Sequence, residues 1–180
     1  MMPFLDQDED LVGSMIMVNM SVVVRLTHTI LRMMKQKGRG AVINISSVAS
    51  RMHPMPYLTL YAATKHFIQM FTESLEYENQ GSGIVFQEVA PGAVETNLTK
   101  HLPKSRFNQR ASPSEFVRSA LLTVGFSKST CGWWPHGLHL FLFQSLPDMV
   151  GRVALCHALD NTYRAIISKI KKQGEFCKMK

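Results

Sequence analysis

The sequence is poor in cysteine, in charge and in long hydrophobic runs. Its three cysteines, Cys131, Cys156 and Cys177, lie far apart without a C-x-x-C pair, which favours a reducing compartment or buried thiols over a disulfide framework. Acidic residues interrupt the N-terminal segment MMPFLDQDEDLVG, so no signal peptide is predicted. No run of 18 apolar residues is evident, and the most apolar stretch, LHLFLFQSLP, is too short to span a bilayer. We expect this stretch to form a buried core helix, with an interfacial helix as the alternative.

The composition fits one folded domain. Of the 180 residues, 46% are hydrophobic and only 18% are charged, which excludes a disordered or fibrous chain. The net charge of +7 is concentrated in the C-terminal SKIKKQGEFCKMK. Because no basic run is interleaved with aromatic residues and no nucleic-acid-binding motif occurs, we expect a solvated tail or a tail on an anionic membrane. His136 and His139 have no carboxylate or cysteine partner in register, so we predict ordinary packing and no metal site.

Helices and strands alternate along the first half of the chain. Apolar residues at steps of three and four predict a helix over 8–37, ended by the glycines of KGRG. The run AVINISS then predicts a buried parallel strand, because it is apolar and β-branched without alternation. A second helix is predicted over 60–79 and a second buried strand at IVFQEVAP. Short connections between these elements indicate right-handed crossovers and a parallel α/β sheet.

A third helix begins at ASPSEF. Ser112 can cap it, Pro113 suits its first turn, and Glu115 completes a capping box; the pattern continues to about residue 124. Beyond residue 130 the pattern weakens into an apolar and basic extension over 131–180. With no repeats and no linker, we predict a single domain over 1–180.

Polar residues follow both predicted strands. Ser46 and Ser47 end the first strand, and Pro91 and Gly92 end the second. Ligands of parallel α/β sheets bind at the carboxyl ends of the strands. The helix that carries Tyr61 and Lys65 begins just after the first of these strand ends. We therefore expect these groups to converge on one cleft.

The pair Tyr61 and Lys65 suggests acid catalysis. Their spacing places both on one helical face. An ammonium about 4 Å from a phenol favours the phenolate by roughly 4 kcal/mol at an effective dielectric near 20, which corresponds to about three pKa units. A phenol shifted in this way can act as a general acid near neutral pH. The spacing alone is weak evidence, and a solvent-facing pair is the alternative; the serines and the Pro-Gly turn at the strand ends favour a site.

These motifs resemble those of the short-chain dehydrogenase/reductase family. NISS, YAATK and PGAVET occur in the family's order, and MVNMSVVV supplies an asparagine on the preceding helix. The similarity runs from about residue 4 to the C-terminal tail. The segments YAATKHFIQMFTESLEYE, SPSEFVRSALLTVG and STCGWWPH are most similar to the branch of testosterone 17-beta-dehydrogenase and very-long-chain 3-oxoacyl-CoA reductases.

The resemblance implies a catalytic role for four residues. Tyr61 would donate a proton to the substrate carbonyl oxygen, and Lys65 would lower the pKa of that phenol and bind the nicotinamide ribose. Ser47 would orient the carbonyl, and Asn19 would hold a water that links the lysine to solvent. Ser47 lies fourteen residues before Tyr61, about one more than is usual in the family, so Ser46 is the alternative serine.

The resemblance also implies a cofactor and a substrate class. The cofactor would be NADPH or NADP, with the nicotinamide against Pro91, Gly92, Val94 and Thr96. The substrate would be a lipid-like ketone or alcohol, a 17-keto steroid or a 3-oxoacyl-CoA. The resemblance favours the endoplasmic reticulum, with the cytoplasm as the alternative, and allows a homodimer and peripheral membrane contact.

One family feature is absent from the sequence. The glycine-rich turn that binds pyrophosphate follows a strand, whereas GRGAVI and GSGIVF precede strands. The expected fold is therefore the C-terminal half of a Rossmann-like doubly wound parallel sheet, with the first βαβ half missing. Without the half that binds the dinucleotide, a catalytically inactive chain is one expected outcome. The rival interpretations are a non-catalytic fragment that pairs with full-length relatives and a peripheral membrane-binding module.

Overall fold

Three parallel strands form the sheet. The computed structural model describes residues 1–52, 54–99 and 110–178, with side chains as far as residue 170. The strand order is β1-β2-β3, and the strands are Gly40–Ile45, Ile84–Val89 and Ser129–Thr130. Along β1 and β2 the register runs from Gly40 opposite Ile84 to Ile45 opposite Val89. The parallel sheet between helices confirms the predicted α/β class.

The two longer strands differ in burial. Almost every residue of β2 is buried, as predicted. The prediction of a buried first strand is wrong for one face of β1, where Ile43 is 37% exposed and Ile45 is 50% exposed. β1 is an edge strand of the described sheet. On that face the neighbouring strand β2 is covered instead, and Gln87 Nε2 donates to Thr123 Oγ1 at 2.9 Å. The outer face of β1 therefore lacks a cover among the described residues.

The first predicted helix is continuous but irregular. It comprises α1 (Glu9–Ile16), one π-helical turn (Met17–Ser21) and α2 (Val22–Lys37). Gly38 ends it in the left-handed conformation, with φ 64°. In contrast to the expectation from sequence, this helix contains an 18-residue window long and apolar enough to cross a membrane. Length and composition are weak evidence for a span, because other apolar helices share them.

The second helix, α3, covers the other face of the sheet. It spans Thr59–Glu78, within one residue of the predicted range. Asn44 Nδ2 in β1 donates to Thr72 Oγ1 of α3 at 2.9 Å, and Ile68 of α3 is fully buried. The loop before α3 includes Tyr57, with φ 66°. α3 therefore begins close to the carboxyl end of β1 and runs back along the sheet.

The third helix has the predicted cap. α4 spans Pro113–Leu121, and Ser112 and Glu115 form the reciprocal bonds of a capping box. Turns replace the helix from residue 122 onward, so it ends slightly before the predicted position. On its inner face, Phe116 and Ala120 join Val89 of β2 in the core.

The C-terminal region forms two further helices. α5 spans Trp134–Gln144, and α6 spans Asp148–Lys178. The prediction of a buried core helix is wrong for much of α5: Leu140 is buried, but Phe141 and Leu142 are exposed. α6 returns to the loop before α3, where Tyr57 donates a hydrogen bond to Asp160 at 2.8 Å. A single domain over 1–180, with residues 131–180 as its C-terminal extension, stays a prediction.

Candidate active site

The carboxyl ends of β1 and β2 lie side by side. The Ser46 amide donates to the Val89 carbonyl at 2.8 Å, and the Val48 amide donates to the Pro91 carbonyl at 3.0 Å. These bonds extend the parallel pairing beyond the strands. They bring the serine segment against the start of the Pro-Gly turn.

Lys65 reaches this edge from α3. Its Nζ donates to the Ile45 carbonyl at 3.1 Å and lies 5.9 Å from the centroid of the Tyr61 ring. Both side chains are half-buried. Burial lowers the pKa of the Lys65 ammonium, because removing a charge from water disfavours its ionised form. The Tyr61 ring and the Lys65 ammonium therefore lie close together at the end of β1.

Asn19 joins this group from the π-helical turn. Its Nδ2 donates to Thr64 Oγ1 at 3.0 Å, and the Thr64 hydroxyl donates to the Tyr61 carbonyl at 2.9 Å. Thr64 immediately precedes Lys65 and is buried. A π turn inserts an extra residue into a helix and commonly occurs at functional sites. Here it is the part of the first helix that holds Asn19 against the helical turn carrying Tyr61.

The two serines have different environments. Both serines are buried, and the Ser46 hydroxyl donates to Glu88 Oε1. Ser47 Oγ accepts the Ala49 amide at 3.2 Å and caps a short 3-10 turn. Since a hydroxyl that accepts one bond still carries a hydrogen to donate, this geometry favours Ser47 over Ser46 as the serine available to a ligand.

The turn after β2 contains the four residues expected against a nicotinamide. The Gly92 amide donates to His136 Nδ1 at 3.1 Å. Val94 forms a bridge with Ala111 and packs on the core. Thr96 is exposed, and its amide donates to Thr99 Oγ1 at 3.2 Å. The Pro-Gly end of the segment thus lies at the sheet edge, while Thr96 lies further out.

Two functional candidates were not predicted from sequence. His136 was expected to be ordinary packing, but it binds the backbone of the Gly92 turn across 44 positions of sequence. Glu88 is fully buried in β2 and receives hydrogen bonds from Ser46, Arg51 and Ser129. An acidic residue inside a mostly apolar strand was the one signal that could have drawn attention to Glu88. No local pattern marked His136.

The glycine pairs lie at the opposite edge of the sheet. Gly38 precedes β1 and Gly40 is its first residue, while Gly81 and Gly83 precede β2. A Cβ on Gly83 would lie 2.3 Å from the Gly38 carbonyl oxygen, so close packing of the two turns requires a glycine there. These turns face away from the carboxyl edge, and the described residues contain no glycine-rich turn between a strand and the start of a helix.

Comparisons with known proteins agree with this architecture. The profile of the short chain dehydrogenase family matches residues 1–106. The human very-long-chain 3-oxoacyl-CoA reductase is 34% identical over 171 residues, which cover 94% of this chain and 54% of that protein. The rat 17-beta-hydroxysteroid dehydrogenase type 3 is 34% identical over 137 residues, covering 76% of this chain and 44% of that protein.

The fold and the sequence together define a parallel α/β protein of the dehydrogenase type. The chain belongs to the short-chain dehydrogenase/reductase family. It spans about half the length of the curated relatives that it matches. The shared region includes the serine, tyrosine and lysine motifs.

Solved structures share the fold. A 7beta-hydroxysteroid dehydrogenase has a TM-score of 0.72 and 24% identity, covering 85% of this chain and 61% of that chain. A ketone-specific alcohol dehydrogenase from Comamonas testosteroni has a TM-score of 0.59 and 28% identity, covering 68% of this chain and 46% of that chain. The likeness extends to most of this chain and confirms a Rossmann-like sheet.

Proposed function

We propose that the chain carries the proton-donating side of an NADP(H)-dependent reductase for a lipid-like ketone. The observation that carries this proposal is the convergence at one sheet edge: Lys65 binds the end of β1 beside Tyr61, and Asn19 binds the same turn of α3. Ser47 is the second residue after that strand. An acid, a cation and a hydroxyl donor are the groups that carbonyl reduction requires.

The residues act on the carbonyl oxygen. Ser47 donates a hydrogen bond to that oxygen and holds the carbonyl beside the phenol. The Tyr61 hydroxyl then transfers its proton to the oxygen as the carbonyl carbon is reduced, so an alcohol and a phenolate result. The Lys65 ammonium stabilises the phenolate by its positive charge. Asn19 supports the α3 turn that orients both groups, and we propose that it also holds the water that returns a proton.

The residues present fit one end of a nicotinamide dinucleotide. Gly92 and its neighbours Pro91, Val94 and Thr96 would form the surface for the nicotinamide, and Lys65 would bind its ribose. The bound nicotinamide would supply a hydride to the carbonyl carbon. A dinucleotide binds across both halves of such a sheet, and the described residues offer no pyrophosphate turn. We therefore propose that this chain alone binds NADPH weakly and reduces the ketone slowly.

The substrate proposal rests on the relatives. They include proteins named very-long-chain 3-oxoacyl-CoA reductase and 17-beta-hydroxysteroid dehydrogenase type 3, which suggests a 3-oxoacyl thioester or a 17-keto steroid. Both substrates present a ketone on a large apolar body. By the same similarity we propose the endoplasmic reticulum as the location.

A dinucleotide titration and one variant test the proposal. NADPH is added to the full chain while tryptophan fluorescence is recorded, with NADH in parallel, and ketone reduction is then assayed. We expect saturable binding, and we expect Tyr61→Phe to reduce turnover by about 10²- to 10⁴-fold, the usual contribution of a general acid. Tyr77→Phe, at an exposed tyrosine of α3, is the matched control. Full turnover by Tyr61→Phe would refute the assignment of the acid.

Two alternatives have their own outcomes. No saturable change up to millimolar NADPH would favour a non-catalytic chain that pairs with full-length relatives. A peripheral membrane module is favoured by the exposed apolar side chains of α5 and α6, among them Trp134, Phe141 and Met149. Co-sedimentation with anionic vesicles that persists in Tyr61→Phe but is lost in Phe141→Ser would support that module.

A further inference from the structure

His136 joins two neighbouring backbone groups of one turn. Its Nδ1 accepts the Gly92 amide at 3.1 Å, and its Nε2 lies 3.1 Å from the Ala93 carbonyl oxygen. A nitrogen that accepts from an amide carries no proton, so the neutral ring carries its proton on Nε2 and donates it to Ala93. One imidazole tautomer thus satisfies a donor and an acceptor on consecutive residues.

Neighbouring aromatic side chains restrict the orientation of the His136 ring. His136 lies in the first turn of α5 and is 4% exposed. Its centroid lies 4.9 Å from the Trp133 ring in an edge-to-face arrangement and 6.2 Å from the Phe116 ring of α4. A buried ring with aromatic neighbours has few orientations available. The imidazole can therefore impose its position on the turn.

The turn is shaped to the ring. A Cβ on Gly92 would lie 2.7 Å from His136 Cδ2 and 2.9 Å from Cγ, closer than real contacts allow. The position of the imidazole therefore requires a glycine at residue 92. Hydrogen bonds and close packing together specify the conformation of the segment from Pro91 to Ala93.

We propose that His136 is a positioning residue that fixes the Pro91–Gly92–Ala93 turn, and thereby the protein surface that faces the nicotinamide. The link to the nicotinamide rests on the proposed function, whereas the link between the ring and the turn does not. His136 acts through the backbone and is not itself a catalytic residue. The apolar and basic extension thereby contributes to the site through α5.

Three substitutions at one position test the link to the turn. His136→Phe keeps a ring and removes both hydrogen bonds. His136→Asn places an amide oxygen near Nδ1 and restores the acceptor for Gly92, whereas His136→Gln places an amide near Nε2 and restores only the donor to Ala93. Amide hydrogen exchange is followed by NMR on the full chain without cofactor. The Phe86 amide, within β2, serves as the internal reference.

We expect exchange of the Gly92 amide to rise at least tenfold in the Phe and Gln variants and to stay within about threefold of wild type in the Asn variant. The Phe86 amide should change little. Equal exchange at Gly92 in all variants would overturn the proposal. So would a parallel rise at Phe86, because it would indicate only a loss of global stability. If His136→Phe does not fold, the Gly92 exchange rates of His136→Asn and His136→Gln are compared instead, and equal rates in the two would overturn the proposal.

A second readout tests the consequence for the ligand. In a Trp134→Phe background Trp133 is the sole tryptophan, and its fluorescence reports NADPH binding beside the ring. We expect His136→Phe to raise the Kd for NADPH, measured by this fluorescence, at least fivefold, with the KM for the ketone changed less than twofold. An equal rise in the constants for NADPH and for the ketone would refute the proposal that His136 positions the surface facing the nicotinamide. Failure of the wild type to bind NADPH would refute the proposed function, while the exchange experiment would still decide the link to the turn.

Discussion

Glu88 is a carboxylate at the centre of the sheet, and its charge is balanced by specific partners. It is fully buried, and Arg51, Ser46 and Ser129 all donate hydrogen bonds to it. The Arg51 side chain is itself only 15% exposed. Since Arg51 follows the serine segment, this ion pair ties that segment to β2 and β3.

Removing the arginine should destabilise the fold strongly. We expect Arg51→Met to lower the free energy of unfolding by about 3–5 kcal/mol, because it leaves a buried carboxylate without a counter-ion. Urea denaturation measures the change. The double variant Arg51→Met/Glu88→Gln removes both charges and should recover part of the loss; a double variant less stable than Arg51→Met would contradict this account.

Lys65 should make stability depend on pH in the alkaline range. Burial lowers its pKa from the ordinary value of 10.5, so in this range the unfolded chain binds more protons than the folded chain. Stability therefore rises with pH between the folded and unfolded pKa values. Lys65→Met should remove this rise, whereas Lys169→Met, at an exposed position, should retain it. Unfolding free energies at pH 8 to 10.5 test the prediction, and identical slopes in both variants would show that Lys65 contributes nothing.

At the scale of elements, sequence was most informative where the determinants are local. Ser112, Pro113 and Glu115 form the capping box that their spacing predicted, since all partners lie within one turn. The π turn around Asn19 was not predicted, because it depends on contact with Thr64, 45 residues away. The tyrosine-lysine pair was recognised from spacing, but its placement depends on the Ile45 carbonyl of another element.

The exposed sides of β1 and α5 were missed for a related reason. An apolar run indicates that a segment can be buried, but the partner that would cover it lies elsewhere in the chain or outside it. Ile43 and Phe141 have the composition of core residues and yet are exposed. His136 was missed because its partners, Gly92 and Ala93, lie more than 40 residues before it.

One tyrosine of the loop before α3 contacts α6. Tyr57 donates to Asp160 and stacks on Tyr163 with ring centroids 4.3 Å apart. The hydrogen bond to Tyr57 lowers the pKa of Asp160, and the same bond raises the pKa of Tyr57. Because the Asp160 pKa is depressed in the fold, its contribution is present above the unfolded value near 4 and is lost as pH falls through the folded pKa.

Tyr57→Phe should therefore loosen α6 without displacing the aromatic stack. We expect hydrogen exchange in the segment around Asp160 to become several-fold faster near neutral pH, and the difference from wild type to vanish in acid. Tyr77→Phe, which removes a hydroxyl from an exposed ring, is the matched control and should leave α6 unchanged. Unaltered exchange in Tyr57→Phe would show that stacking alone holds the helix.

At the scale of the whole molecule, apolar surface is exposed along one side. The helix α1–α2 presents a solvent-facing stripe at steps of three to four residues, and β1 exposes Ile43 beside an uncovered edge. Single exposed apolar residues are normal, but a continuous stripe is typical of an interaction surface. The members of the stripe that face solvent are Val18, Val22, Leu26, Ile30 and Met33.

We expect the chain to self-associate through this stripe at micromolar concentration. Leu26→Glu/Ile30→Glu should shift it toward the monomer, because two carboxylates would have to be buried in the contact, while glutamate preserves helix propensity. Light scattering after size exclusion measures the mass. Phe141→Glu/Leu142→Glu introduces the same charges on exposed positions of α5 and should leave the mass unchanged. A monomeric wild type, or dissociation only in the α5 variant, would show that the stripe is not the contact and would direct attention to the C-terminal helices.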